Sequence, residues 1–259
     1  MAIITLLTDF GLANAYVGIM RGVILGINPA ATIVDLTHEV PPQDIGYAAF
    51  ELGTAWRYFP PGTIHVVVVD PGVGGERAAI AARVGEQCFV APDNGVLSYV
   101  LAEGPAEVVR LTERRYWLPH TSHTFHGRDI FAPVAAHLSL GVALAALGQP
   151  HERPVTFPLP RPVRRPDGTW LAHVIHVDRF GNLVTSLPAS WQPREGIAGA
   201  LVAGVRVDAV VRAYAEAPEG APAILEGSAG YLEIAVRNGS ARERLGVAVG
   251  AEVVFLTCR

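Results

Sequence analysis

Three short β-branched runs, at residues 3–7, 32–36 and 64–69, alternate with two stretches of helical apolar spacing, at 16–27 and 44–58. The first helical stretch stops at Asn28-Pro29 and the second runs up to Pro60-Pro61-Gly62. Runs this short and this rich in Ile and Val read as buried strands, and strand–helix–strand alternation implies a mainly parallel sheet with helices on its faces. Further strands are predicted at 78–84, 87–91 and 107–111, and a helix at 130–140. The texture changes at 150–168, where six prolines and four arginines fall in one stretch. Proline removes a backbone donor and fixes φ, so this stretch reads as an extended linker. Beyond it the pattern is mostly β, at 170–177, 183–187, 200–213, 231–236 and 252–256, with a short helix at 240–245. The expected organisation is an N-terminal mainly parallel α/β sandwich domain over 1–150, a Pro-rich linker over 151–168, and a small C-terminal β-barrel over 169–259.

Composition removes several classes of function. Half of the 259 residues are hydrophobic and 17% are charged, ample for a core. No apolar run approaches the ~18 residues of a membrane span, and no basic segment precedes the apolar start, so a cytoplasmic location is expected. All 20 basic residues are arginine, which leaves no lysine for a Schiff base or a Walker-type phosphate loop. A net charge of −4 without a long basic run argues against nucleic acid and for a small-molecule substrate. Cys88 and Cys258 form no CxxC pair and read as ordinary thiols.

Polar residues stand out where strands end. Asp9 closes the run Leu6-Leu7-Thr8-Asp9, and Asp70 closes Val66-Val67-Val68-Val69-Asp70. Either alone could cap a turn, but ligands collect at the carboxyl ends of parallel strands, and two carboxylates on that edge favour a site. Asp35, followed by Leu36, reads as structural. The glycine-rich segment 72–75 lacks the order of a dinucleotide loop; its flexibility suits close backbone approach to a ligand, with Arg77 folding back toward Asp70. His120, His123 and His126 invite a metal reading, yet their spacing matches no standard zinc motif, and catalytic use of His126 beside Gly127 is favoured. In the C-terminal part, Asp178, Phe180, Gly181 and Asn182 join two strands. They read either as a hairpin turn or as an amide and carboxylate beside an aromatic face suited to a nucleobase. The loop 226–231 is a second such turn.

Taken together, the motifs resemble those of the S-adenosyl-L-methionine (SAM) hydroxide adenosyltransferase family, whose relatives include fluorinase and chlorinase. They are Thr8-Asp9-Phe10-Gly11, Val69-Asp70-Pro71-Gly72-Val73-Gly74, Ala91-Pro92-Asp93-Asn94-Gly95, Phe125-His126-Gly127-Arg128-Asp129, Phe180-Gly181-Asn182 and Gly230-Tyr231-Leu232-Glu233-Ile234-Ala235. One such motif is weak, but six in order span nearly the whole chain. The resemblance implies the two-domain fold above, cleavage of SAM by water or hydroxide, and a homotrimer with active sites at subunit interfaces. By motif position, Asp70, Arg77 and His126 match the triad credited with positioning and activating water. Asp9 matches the carboxylate that holds the ribose hydroxyls, Phe180 and Asn182 the adenine contacts, and Asp178 and Ser228 the contacts to the methionine amine and carboxylate. Tyr231, Glu233 and Val236 lie in the last motif and are further substrate-binding candidates. No cofactor and no metal are implied, SAM being the substrate.

The departures bear on the reaction. In the halogenases a tyrosine stands where this chain has Asp70, and a tyrosine–serine pair stands at His126-Gly127. A carboxylate at Asp70 would repel an incoming halide. Gln43 occupies the place of a tryptophan that covers the sugar in fluorinase, and Asn14 that of a common aspartate. Hydrolysis of SAM to adenosine and L-methionine is the expected activity. A non-catalytic SAM- or adenosine-binding protein, a metal-dependent hydrolase and a SAM-dependent halogenase remain as alternatives.

Overall fold

The structure, a computed structural model, describes residues 2–191 and 196–258. The chain forms two compact units, Met1–Pro158 and Leu159–Arg259. The first holds β1 (Ile3–Thr8), α1 (Tyr16–Ile27), β2 (Thr32–Thr37), α2 (Ile45–Ala55), β3 (Ile64–Val68), β4 (Ala79–Val84), β5 (Gln87–Pro92), α3 (Ser98–Leu101), β6 (Ala106–Leu111), α4 (Ala132–Ser139) and β7 (Gly148–Pro150). Its strands form one sheet in the order β2-β1-β3-β5-β4-β6-β7. The first four are mutually parallel, and β4, β6 and β7 add to them in antiparallel fashion.

The alternation along β1 and β3 explains the layers. Ile4, Leu6, Val66 and Val68 face α1 and α4, through Met20, Ile24 and Val134. Leu7, Val67 and Val69 face the other side, where Ala48 and Leu52 of α2 and Val100 of α3 pack. Both faces are covered, so β3 is wholly buried and apolar at every position but His65. The run at 32–36, expected to be buried, is instead an edge strand of intermediate exposure. With a single neighbour it can carry Asp35, which pairs with Arg21 and lies 3.1 Å from His38 Nε2. The helix expected over 130–140 starts as a π-turn, Gly127–Phe131, and becomes α-helical only at Ala132. Pro133 has no N–H, and the Asp129 carbonyl receives the Leu118 N–H at 2.9 Å.

The proline-rich stretch is pinned rather than loose at its start. His151 Nε2 lies 2.9 Å from Asp93 Oδ2, the Val155 N–H donates to Asp93 Oδ1 at 2.7 Å, and the Phe157 N–H donates to Ser98 Oγ at 3.0 Å.

The second unit comprises β8 (Val163–Arg164), β9 (Trp170–Val177), β10 (Leu183–Pro188), β11 (Ile197–Val202), β12 (Val205–Val207), β13 (Ala209–Val210), β14 (Pro222–Glu226), β15 (Tyr231–Val236), α5 (Ala241–Leu245) and β16 (Glu252–Thr257). The strand path is β12-β11-β16-β9-β10-β15-β14-β13, with β8 beside β9. Its two ends approach one another, β11 near β13 and β12 near β14, which curls the sheet into a barrel-like shape around Ala172, Leu183, Ile234 and Phe255. The stretch 200–213, expected to be β-rich, holds the end of β11 and the whole of β12 and β13.

One core residue predicts the pH dependence of stability. His65 in β3 is fully buried, with Nδ1 2.8 Å from the Thr5 hydroxyl and Nε2 2.6 Å from Gln87 Oε1. Gln87 donates an amide N–H to the Phe59 carbonyl at 3.0 Å, so His65 donates from Nε2 to Gln87 Oε1, and in the neutral ring Nδ1 accepts from the Thr5 hydroxyl. This is a neutral ring, and burial pushes its pKa from 6.5 to about 4. Below pH 6.5 the unfolded chain takes up a proton that the folded chain refuses. Stability is therefore expected to fall as pH drops through this window, by about 3 kcal/mol in full. Urea unfolding at pH 7 and pH 4 checks this, and His65→Gln should remove the larger part of the difference.

Candidate active site

Strands β1 and β3 lie side by side with Thr8 opposite Val68, so both polypeptides leave the sheet at the same carboxyl edge. Asp9 and Asp70 emerge there, and both line a cleft of ≈ 400 Å³ together with His126. The β3–β4 loop returns Arg77 onto Asp70. Arg77 Nε donates to Asp70 Oδ1 at 2.9 Å and to Oδ2 at 3.0 Å, and Nη2 also donates to Oδ2. The side chains of Asp70 and Arg77 are 5% and 11% exposed, which makes this a largely desolvated pair. The same guanidinium reaches His126 Nδ1 at 2.7 Å.

That last contact fixes the imidazole. Arginine only donates, so Nδ1 is the acceptor and a neutral ring carries its hydrogen on Nε2. Burial is the first cause holding the His126 pKa below 6.5, and the Arg77 charge is the second; Asp70 and Asp129 act in the opposite sense. Protonation would place a hydrogen on Nδ1 facing the guanidinium, two cations and two donors in contact. The triad therefore exists only with a neutral ring.

Two local features bring His126 into place. Gly74 has φ +76°, and a Cβ there would stand 2.2 Å from the His123 carbonyl oxygen, so the glycine-rich loop packs directly on the segment leading to His126. Asp129, fully buried, accepts from Ser122 N and Oγ, both at 2.8 Å, and from Arg128 Nε at 2.5 Å. Burial alone would raise the Asp129 pKa, but the bonds donated by Arg128 and Ser122 overcome it and hold it low. His120 and His123 are both exposed, and among the described residues no group of three His, Cys, Asp or Glu is placed to hold a metal ion.

Asp9 is held differently. Gln43, at φ +66°, turns its N–H onto Asp9 Oδ2 at 2.8 Å, which leaves Oδ1 for a ligand. Phe10, Tyr16 and Phe125 wall the same cleft, their ring centroids 5.2–5.8 Å apart in tilted and edge-on pairs. None of the three aromatics stands out in the sequence as a site residue. The one signal is position, since Phe10 directly follows Asp9 and Phe125 directly precedes His126.

The remaining candidates lie on the second unit. Asp178 closes the β9–β10 hairpin: Oδ1 accepts from Phe180 N at 2.9 Å and Asn182 N at 2.8 Å, and Oδ2 accepts from Asn182 Nδ2 at 2.8 Å. The Phe180 ring, thus presented, is 75% exposed, while Asn182 is buried. Ser228 is exposed and Tyr231 half-buried in the β14–β15 hairpin. Glu233 is buried, receives the Tyr214 hydroxyl and lies against Gly227. Burial raises its pKa, and Asp178 adds to this while the tyrosine bond opposes it. The Tyr214 pKa is also pushed up, first by burial and then by Glu233. Val236 is in the barrel core. The structure thus collects the candidates into two groups, Asp9, Asp70, Arg77 and His126 on the first unit and the other seven on the second.

Comparison with known proteins decides the family. Residues 4–148 match the SAM hydroxide adenosyltransferase N-terminal domain and residues 172–254 its C-terminal domain. The chain belongs to the SAM hydroxide adenosyltransferase family. Within it, the chain is 41% identical to an (R)-S-adenosyl-L-methionine hydrolase of Thermus thermophilus, over 96% of this chain and 98% of that one. It is 39% identical to the enzyme of the same name from Salinispora tropica, over 95% of each. A fluorinase of Actinoplanes sp. is more distant, 27% identical over 90% of each chain. Among solved structures of similar chains, an uncharacterized conserved protein of Thermotoga maritima superposes with a TM-score of 0.91 at 39% identity, covering 99% of this chain and all of that one. This family member has no helix long and apolar enough to cross a membrane among its described residues.

Proposed function

We propose that the chain hydrolyses SAM to adenosine and L-methionine, with water attacking C5′ in line with the sulfonium. The observation that carries this reading is the Asp70–Arg77–His126 network on the wall of the cleft that also holds Asp9. A sulfonium is already a good leaving group, so the C5′–S bond needs no acid. Its electron pair passes to sulfur as the new O–C5′ bond forms, and one proton leaves the attacking water. Holding that water in line supplies most of the catalysis. Asp70 and His126 orient it, Asp70 is the anionic group that takes the proton, and Arg77 locks both partners. Asp9 holds the ribose hydroxyls. Phe180 and Asn182 take the adenine and Asp178 and Ser228 the amino-acid end, with Tyr231, Glu233 and Val236 lining the rest.

No cofactor enters this scheme. The relatives' names, (R)-S-adenosyl-L-methionine hydrolase, support the substrate and the reaction. The anionic Asp70 favours water over halide as the nucleophile. The working form is a cytoplasmic homotrimer with sites completed between subunits; a solution mass other than three chains by light scattering overturns it. The deciding experiment is incubation with SAM in ¹⁸O-water and mass analysis of the adenosine. One label at the 5′ oxygen is expected. Intact SAM after long incubation, or a 5′-halogenated product when chloride or fluoride is offered, refutes the reading.

A further inference from the structure

The motif Ala91-Pro92-Asp93-Asn94-Gly95 has no part in the chemistry above, and none of its side chains lines the cleft. Its place in the fold is nevertheless specific. Asn94 Oδ1 accepts from the Val96 N–H at 3.2 Å, and Nδ2 donates to the Val69 carbonyl at 2.9 Å. A backbone N–H can only donate, so the Val96 contact fixes which end of the amide faces Val69. Val69 is fully buried, directly follows β3 and directly precedes Asp70. On the other stem of the same loop, the Asp93 N–H donates to the carbonyl of Ala78, directly after Arg77, at 2.9 Å. One dipeptide therefore ties both stems of the loop whose ends carry the carboxylate and the guanidinium of the triad.

From this geometry we infer that Asn94 is a positioning residue for the hydrolysis of SAM, setting Asp70 through the Val69 carbonyl. The inference rests on the reading given under Proposed function. Misplacing a reacting group by about 1 Å costs ~10²-fold in rate, whereas Asp9 is held separately, by the Gln43 N–H. Asn94→Ala should lower kcat by roughly 10–10²-fold and leave the KM for SAM within about twofold. Asn94→Asp is the sharper variant. Ionised, its carboxylate faces the Val69 carbonyl and has nothing to donate; protonated, its O–H restores the bond. Partial burial and the adjacent Asp93 carboxylate raise the protonation range of such an acid, while Arg77, paired with Asp70, and His151, where charged, act the other way. The kcat of Asn94→Asp relative to the unaltered chain should therefore climb as pH is lowered, while Asn94→Ala stays low at every pH.

A second readout needs no turnover. In Asn94→Ala the His126 Nδ1 resonance, followed by NMR titration, should shift because Arg77, which donates to it, drifts away. A kcat for Asn94→Ala within about twofold of the unaltered chain overturns the inference. So does an Asn94→Asp profile parallel to that of the unaltered chain, or an Asn94→Asp chain that folds at no pH. If the unaltered chain leaves SAM intact, the hydrolase reading fails by itself. The NMR titration then still decides the placement by Asn94, and an unmoved His126 overturns it.

Discussion

Replacing His126 with alanine is expected to lower turnover by ~10²-fold or more while adenosine still binds. The two halves of this result follow from where the residue stands. His126 contacts Arg77 at one ring nitrogen and lines the cleft, whereas Asp9 is held separately, by the Gln43 N–H. Removing the ring therefore deletes one of the groups that orient water and leaves the nucleoside contacts standing. Steady-state kinetics with SAM and calorimetry with adenosine test both parts, and unchanged turnover would end the role given to His126. A drop in adenosine affinity of similar size would instead place the ring in ground-state binding.

Much of this arrangement is legible in the chain, for reasons that differ from residue to residue. Asp9 and Asp70 announce themselves because each interrupts an apolar strand at its end, and β-strand pairing does the rest. The return of Arg77 onto Asp70 needs only a glycine-rich loop of the right length. His126 is less legible: spacing alone leaves three histidines equivalent, and only its place beside Gly127, together with the family resemblance, singles out the third. The departures share a physical cause, which is that tertiary partners far apart in sequence override local pattern. The run at 32–36 has the composition of a buried strand, but the sheet ends there and Asp35 meets Arg21 and His38 at the surface. The π-turn at Gly127–Phe131 depends on Pro133 and on Leu118 taking up a carbonyl eleven residues away. Asn94 reaches Val69 across 25 positions and Tyr214 reaches Glu233 across 19, distances at which no periodicity carries information.

The second large effect concerns the two charges of the triad, which should shift the acid limb of kcat in opposite directions. Arg77 lowers the His126 pKa and Asp70 raises it, both acting beside a burial effect that neither variant removes. Arg77→Ala takes away a lowering influence, so the ring protonates at higher pH and the acid limb moves up. Asp70→Asn takes away a raising influence, and the limb moves down. Both should also lose most activity at the optimum, because the guanidinium bridges Asp70 and His126 and neither variant preserves that bridge. The costs to the fold differ from the costs to the rate. Breaking a buried pair from one side leaves an uncompensated charge, about 3–5 kcal/mol where burial is complete. Arg77→Ala strands a carboxylate that is 5% exposed, and Asp70→Asn strands a guanidinium that is 11% exposed, so the arginine variant should be the less stable. Lysine at position 77 should not rescue: a single ammonium cannot reproduce the fork that engages two carboxylate oxygens and an imidazole at once. Residual kcat against pH for the three variants, read with their unfolding midpoints, tests this account. Acid limbs that move in the same direction for Asp70→Asn and Arg77→Ala would show that His126 does not sit electrostatically between them.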